Sequence, residues 1–457
     1  MRRISILVLG LTLSAAMLSA KAKYVFYFIG DGMGINQVLL TDMYRSARGE
    51  AALSFTSFPA VTYATTFATN DDVTDSAAAG TALATGSKTG VGMLGVDPDG
   101  KVLANIAELS RDAGRSVGVL TNVTVNHATP ASFSCHQRNR SNEYEIALDM
   151  IASAFQFYGG SGISKDKKNK DGAEVVSAQS LFRQAGYTVC NPQSFRTEGR
   201  RADKILMLPG EGRKIGFAID MDAADPSSTV RLAQQTEAAI EVLKKNRKGF
   251  FLMVEGGRLD YALHSHDAAA SIAEMNELDE AVKLAVRFYM EKPSETLIVV
   301  CADHETGGLV VGPKDRKVLK LLDNQKYSKS VLSDRLREMV KDDENLSWEQ
   351  VKSFLEENFG FWDQVSINGH QEQRLRDCYE RTIARNNAGS VTDLYSDNAT
   401  IIKVAADILS EICSIHWVSG HSSGYVPVFA IGEGAELFSG LLDNTDIPKK
   451  IKEAAGL

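Results

Sequence analysis

Three short runs in this chain are apolar at nearly every position, and each stops on an acid. They are YVFYFIG from Tyr24 to Gly30 before Asp31, FFLMV from Phe250 to Val254 before Glu255, and TLIVVCA from Thr296 to Ala302 before Asp303. A strand with one wet face alternates apolar and polar residues, whereas one that is apolar on both parities has to be covered on both faces. Helical patterns fall between the runs, as at Leu232, Ala239, Ile240 and Leu243, in a stretch closed by Lys244, Lys245 and Gly249. The sequence therefore predicts an α/β fold, a large doubly wound central sheet flanked by helices on both faces. In such sheets ligands bind beyond the carboxyl ends of the strands, which is where these acids fall.

The strand pattern breaks from about Lys314 to Asp397. Charges become dense there, and the spacing of Leu332, Leu336 and Met339, then of Val351, Phe354 and Leu355, is helical. This reads as a helical insertion, about 314–397, in a single domain covering 23–457. A further strand, Val426 to Ile431, follows it. The first residues, MRRISILVLGLTLSAAMLSAKA from Met1 to Ala22, combine two arginines, an apolar stretch and a small-x-small site at Ala20-Lys21-Ala22. That is the pattern of a secretory signal peptide, and the apolar run is shorter than the roughly 20 residues a spanning helix needs. An exported, periplasmic protein with no membrane contact after cleavage is expected. Lys+Arg 50 against Asp+Glu 58 gives a net charge of -8, which lacks the basic footprint of a nucleic-acid binder. The cysteines, Cys135, Cys190, Cys301, Cys378 and Cys413, show no CxxC spacing, so a zinc-cysteine site is not expected; up to two disulfides or buried thiols remain open.

Chemistry-bearing residues gather at the strand ends. Asp260 and His264 lie four apart after the second run and share a helix face, so they can hold one metal together. Asp303 and His304 close the third run, where buried polar groups are costly without a partner. Asp31 opens D-G-M-G, whose glycines allow a tight turn, and His421 sits in a glycine-flanked loop before the last strand. Asp260, His264 and His421 would make one three-ligand site, and Asp31, Asp303 and His304 a second, both with the nitrogen and oxygen mix of catalytic zinc. Two such metals can clamp the entering and leaving oxygens of an in-line displacement at phosphorus. Ser76, in DVTDSAAAGTALATG from Asp72 to Gly86, is then a candidate attacking group as well as a candidate helix cap. Gly420-His421-Ser422-Ser423-Gly424 also matches G-x-S-x-G, but no histidine follows it to complete a serine-esterase triad.

The ordered set of pieces resembles the alkaline phosphatase family. It comprises DGMG from Asp31, VTDSA from Val73, HATPASF from His127, Arg140 after HQRN, EGGRLD from Glu255 with His264, ADH from Ala302 and SGH from Ser419. The resemblance implies a metal-dependent phosphomonoesterase that hydrolyses a broad range of phosphate monoesters through a phosphoserine on Ser76. It further implies that Asp75 holds Arg140, which grips phosphate in a bidentate fork. Two zinc ions would occupy the two triads, and one magnesium a third site of Glu255, Thr129 and Asp31. A homodimer is implied as well. Roughly seven positive charges from three metals and Arg140 would then face four carboxylates, leaving a positive pocket for a phosphate dianion.

The chain departs from the family pattern at three places. His127 stands where some bacterial relatives have Asp, and Tyr261 where many have Lys, His or Trp, both near the third site or the phosphate waters. Thr306 stands where many relatives have a second histidine near the first zinc. Alternatives are a phosphodiesterase of the same superfamily, disfavoured by Arg140, and a non-catalytic periplasmic metal- or phosphate-binding protein, disfavoured by Ser76 with Arg140. A sulfatase would need C/S-x-P-x-R, and Ser76 is followed by three alanines.

Overall fold

The computed structural model describes residues 21–457, apart from 211–212, 344, 385–390 and 419; at 226, 384 and 391–400 the side chains lie outside the description. The expected signal peptide thus lies outside the described residues except for Lys21 and Ala22. Part of the expected insertion and Ser419 of the SGH motif lie outside them too. Among the described residues fourteen strands form, and ten of them make one sheet. In chain order they are β1 (Tyr24–Gly30), β2 (Ala60–Thr65), β3 (Ser116–Thr121), β4 (Phe157–Gly159), β5 (Thr188–Cys190), β6 (Ile205–Met207), β7 (Phe250–Gly256) and β8 (Thr296–Ala302). There follow the two-residue strands β9 (Glu305–Thr306), β10 (Val310–Val311), β11 (Ile415–His416) and β12 (His421–Ser422), then β13 (Val426–Gly432) and β14 (Leu441–Asp443). The sheet order is β14-β2-β13-β8-β1-β7-β3-β4-β6-β5.

The three runs that opened the sequence are the middle of this sheet, β8-β1-β7, and every residue in them is buried. Opposite parities of these strands feed separate aromatic clusters. Phe26 packs edge-on against Phe250 at 5.1 Å and Phe288 at 5.4 Å, and Tyr27 against Phe133 at 5.8 Å. The sheet is mixed: β13 runs antiparallel to both of its neighbours, β8 and β2. That reversal puts the start of β13 beside the end of β8, so the loop carrying His421 reaches the same sheet edge as Asp303.

Register decides what meets at this edge. Gly30 of β1 pairs with Ala302 of β8 and with Gly256 of β7, and Ile29 pairs with Glu255. Asp31 and Asp303 therefore leave the sheet side by side, with Glu255 one step behind. Beyond the edge, β9 pairs antiparallel with β12 and places Thr306 opposite His421.

Helices between β10 and β11 build a second core, in which Leu332, Leu336, Val351, Phe354, Leu355 and Leu375 are buried together with Ile408 and Ile415. The helices at Lys329–Asp342 and Trp348–Phe359 match the apolar spacing of the sequence, and the last of the group runs to Ile412. The short β10-β11 pair closes its base. The five cysteines are buried thiols and form no disulfide among the described residues. No described helix is long and apolar enough to cross a membrane.

One close contact ties the helix that begins at Ser76 to the helix that carries Thr129. The helix Ser76–Thr85 passes so near the helix Ala128–Ala131 that a Cβ on Gly80 would lie 2.7 Å from Ser132 Oγ and 3.3 Å from the Thr129 Cα. Gly80→Val has to separate them, so it should lower stability by about 1–3 kcal/mol, as overpacking does. Urea denaturation should report a lower midpoint at an unchanged slope.

Candidate metal and phosphate site

Three groups of ligand atoms converge at the sheet edge: Asp260 with His264 and His421, Asp31 with Asp303 and His304, and Asp31 with His127 and Glu255. In the first group His264 Nε2 lies 3.4 Å from Asp260 Oδ2 and 3.0 Å from His421 Nε2. The helix Arg258–His264 places Asp260 and His264 on one face, as their spacing predicts. His421 Nδ1 lies 2.9 Å from the Thr74 carbonyl, which can only accept, so Nδ1 carries the proton and Nε2 presents its lone pair.

In the second group His304 Nε2 stands 3.4 Å from both Asp31 Oδ1 and Asp303 Oδ2. Its ring stacks on that of His421 with centroids 3.8 Å apart, which brings the two groups into contact. In the third, His127 Nδ1 is 3.7 Å from Glu255 Oε1. Thr129 is fully buried nearby, and Thr121 Oγ1 donates to Glu255 Oε2, leaving Oε1 to the site.

A test of whether these residues fit cations comes from their unsatisfied atoms. Both oxygens of Asp31, Asp303 Oδ2, Glu255 Oε1, Thr129 Oγ1 and His127 Nδ1 are buried without a hydrogen-bond partner. Buried polar atoms of this kind each cost free energy, and buried carboxylates cost more. Burial, then the charges of Asp303, Asp260 and Glu255, push the Asp31 carboxyl well above the usual range. Burial and the Glu255 charge likewise raise Asp303, to about 6. Burial lowers His304 to about 3, so its ring is neutral and available as a ligand. Multivalent cations would satisfy all of these atoms at once, and the mixed nitrogen and oxygen donors suit zinc in the first two groups.

Ser76 opens its helix beside the second group, with Oγ 3.2 Å from His304 Nε2. The cap of that helix is Asp75 rather than Ser76. Asp75 Oδ1 accepts from the Ala78 N–H at 3.0 Å and from the Gly92 N–H at 3.1 Å, while Oδ2 accepts from Arg140 Nη1 at 2.9 Å. Burial opposes its ionisation, but those backbone donors and Arg140 outweigh it and hold Asp75 below the ordinary carboxylate range. Ser76 is thus the first residue inside the helix, its hydroxyl left for the site. Arg140 Nη2 also reaches His127 Nε2 at 3.4 Å. Tyr261 is partly exposed beside the site, edge-on to His127 at 6.0 Å, and partial burial, then the Glu255 and Asp31 charges, raise its pKa to about 12.

The sequence reading did not anticipate the clamps that hold these loops. Gln37 Nε2 donates to Glu305 Oε1 at 2.8 Å and to the Thr306 carbonyl at 2.7 Å, and Ser422 Oγ donates to Glu305 Oε2. Their signal was a second acid directly after ADH and a polar residue just past DGMG. The helical group also reaches the site. Lys329 Nζ donates to the Ser265 carbonyl at 2.6 Å, and Gln325 Nε2 to Asp267 Oδ1 at 2.7 Å, bracing the segment after His264.

Comparison with known proteins sets this geometry in context. A family model described as alkaline phosphatase matches residues 22–207 and 164–457. The chain is 30% identical to alkaline phosphatase 4 of Bacillus subtilis over 441 residues, covering 93% of this chain and 87% of that one. It is 28% identical to alkaline phosphatase 3 of the same organism over 444 residues, covering 94% and 88%. Among solved structures, a cold-active alkaline phosphatase from the psychrophile Shewanella sp. superposes with a TM-score of 0.77 at 28% identity, covering 94% of this chain and 99% of that one. Thermus thermophilus alkaline phosphatase gives 0.77 at 25% identity, covering 99% and 96%.

The raised carboxyls set a sign for metal uptake. A cation entering the second group has to displace protons from Asp31 and Asp303, so affinity should rise with pH, roughly tenfold per pH unit for each proton displaced. The gain should diminish once Asp303 has ionised above about 6. Calorimetric zinc titrations in buffers of different ionisation enthalpy should show more proton release at about pH 5.5 than at about pH 8; equal release at both would contradict the assignment.

Proposed function

The chain belongs to the alkaline phosphatase family and is a metal-dependent phosphomonoesterase; on that premise we propose which of its residues do the work and how. Two zinc ions are assigned to Asp260 with His264 and His421, and to Asp31 with Asp303 and His304. Magnesium is assigned to Asp31, Glu255 and Thr129, whose oxygens suit a hard cation, with His127 beside them. The unpartnered buried atoms of Asp31, Asp303, Glu255, Thr129 and His127, and the convergence of Asp260, His264 and His421, support this reading. When bound, the cations supply Lewis-acid chemistry, taking up charge on the phosphate oxygens and on the entering and leaving oxygens of the displacement.

The observation that carries the mechanism is the position of Ser76. Its Oγ lies against His304 Nε2 at the start of a helix whose cap, Asp75, also holds Arg140. Arg140 grips two phosphate oxygens through its planar fork, with Asp75 fixing the fork's direction. Helix N–H groups beside Ser76 favour the anion at the same point. Ser76 Oγ attacks phosphorus and the bond from phosphorus to the alcohol oxygen breaks. The proton lost by Ser76 is balanced by the one the departing alcohol takes up from solvent. A phosphoserine results. Water then attacks phosphorus from the vacated side, the Oγ–P bond breaks, phosphate leaves and the Ser76 hydroxyl is restored. These groups address the phosphate rather than the alcohol, which supports broad monoester specificity. Tyr261, partly exposed beside the site, is the neighbour placed to touch the alcohol portion.

Two further assignments rest on the sequence and the family. The pattern of Met1 to Ala22 supports export to the periplasm, and the family supports a homodimer.

Ser76→Ala should lower kcat/KM for a phosphate monoester by at least about 10⁴-fold, as loss of a nucleophile does. Acid quenching with labelled phosphate should mark Ser76 in the wild type and leave the variant unmarked; full activity in Ser76→Ala would refute the mechanism. Arg140→Lys should raise KM about 10–100-fold, reflecting a lost charge-assisted fork. A matched diester should turn over more slowly than its monoester, and the reverse order would favour the diesterase reading.

A further inference from the structure

Thr306 is fully buried between the two zinc groups assigned above, and its hydroxyl touches a ligand of each. Oγ1 donates to Asp260 Oδ1 at 2.7 Å and lies 3.1 Å from His304 Nδ1. A threonine hydroxyl has one proton, and a carboxylate only accepts. With that proton committed to Asp260, the oxygen has to accept from His304, so His304 carries its proton on Nδ1. Its Nε2 then presents a lone pair to Asp31, Asp303 and Ser76, the atoms it faces at 3.2–3.4 Å.

The backbone holds Thr306 in this place from two sides. It pairs with His421 across the β9-β12 ladder, and its own N–H donates to the Gly32 carbonyl at 3.1 Å. Gly32 has a φ of 75°, and a Cβ there would stand 2.8 Å from Thr306 Oγ1 and 3.0 Å from Asp260 Oδ1. The loop after Asp31 is therefore shaped around this hydroxyl.

We infer that Thr306 is a positioning residue that couples the two zinc sites: one hydroxyl orients Asp260 in the first and fixes the His304 tautomer in the second. The inference rests on the assignment of Asp260 and His304 to neighbouring metals. It accounts for a hydroxyl residue at a buried position with two polar neighbours. An outer partner of this type contributes about 10–100-fold in metal affinity.

The test compares zinc binding to wild type, Thr306→Val and Thr306→Ser in chelator-buffered zinc, read as metal content per chain. Thr306→Val should lose affinity at both sites by about 10–100-fold, and Thr306→Ser, which keeps the hydroxyl, should recover most of it. A merely structural role would lower the melting temperature of both variants without separating Val from Ser in zinc affinity. Independently of any variant's folding, histidine ¹⁵N spectra of the metal-free wild type, assigned by difference with His304→Gln, should show His304 protonated on Nδ1. Wild-type zinc affinity in Thr306→Val, or an Nε2–H tautomer at His304, would overturn the inference while leaving the zinc sites standing. Wild-type protein that takes up no zinc would overturn the metal assignment itself.

Discussion

Four buried carboxylates, Asp31, Glu255, Asp260 and Asp303, share one edge of a single sheet, and the rest of the site is organised around their mutual repulsion. Left alone, such a group holds protons it would give up in water, as the raised Asp31 and Asp303 carboxyls show. Histidine nitrogens and unpartnered oxygens complete a cage that added positive charge would satisfy. The same demand explains how a chain of net charge -8 can handle a phosphate dianion: its local charge is set by what the cage holds, not by its composition.

The sheet supplies rigidity for this arrangement. Asp31, Glu255 and Asp303 hang directly on the three fully buried central strands, so their separation follows from strand register rather than from loop conformation. The histidines come from less rigid segments and are braced instead. His421 is held by the short β9-β12 ladder and the Thr74 carbonyl, and His264 lies at a helix end followed by a segment tied down by Gln325 and Lys329. Glu305 and Gln37 lock the strand-end loops to one another. Preorganisation of this kind allows ligands to meet a cation without paying for reorganisation at each turnover.

The α/β architecture was legible in the sequence because strands covered on both faces must be apolar on both parities, and few other structures carry that pattern. The Asp260 and His264 pair was legible because helical spacing is periodic. Other features had no local signature. Asp75 rather than Ser76 caps the Ser76 helix, a choice made by Ala78 and Gly92 from the helix turn and a distant loop together. His127 joins Asp31 and Glu255 only through the fold, as does Thr306 with Asp260 and His304.

By itself, then, the sequence determined which segments become buried strands, where acids end them, and which serine, arginine and histidines lie in the motifs at those ends. Those properties are local: hydrophobic parity, helical period and residue type. Tertiary structure alone decided that β13 runs against β8, that Gly30 pairs with Ala302, and that one threonine hydroxyl lies between two ligand sets. Register and strand direction are set by long-range packing of the whole sheet, and no window of sequence contains both partners of such a contact.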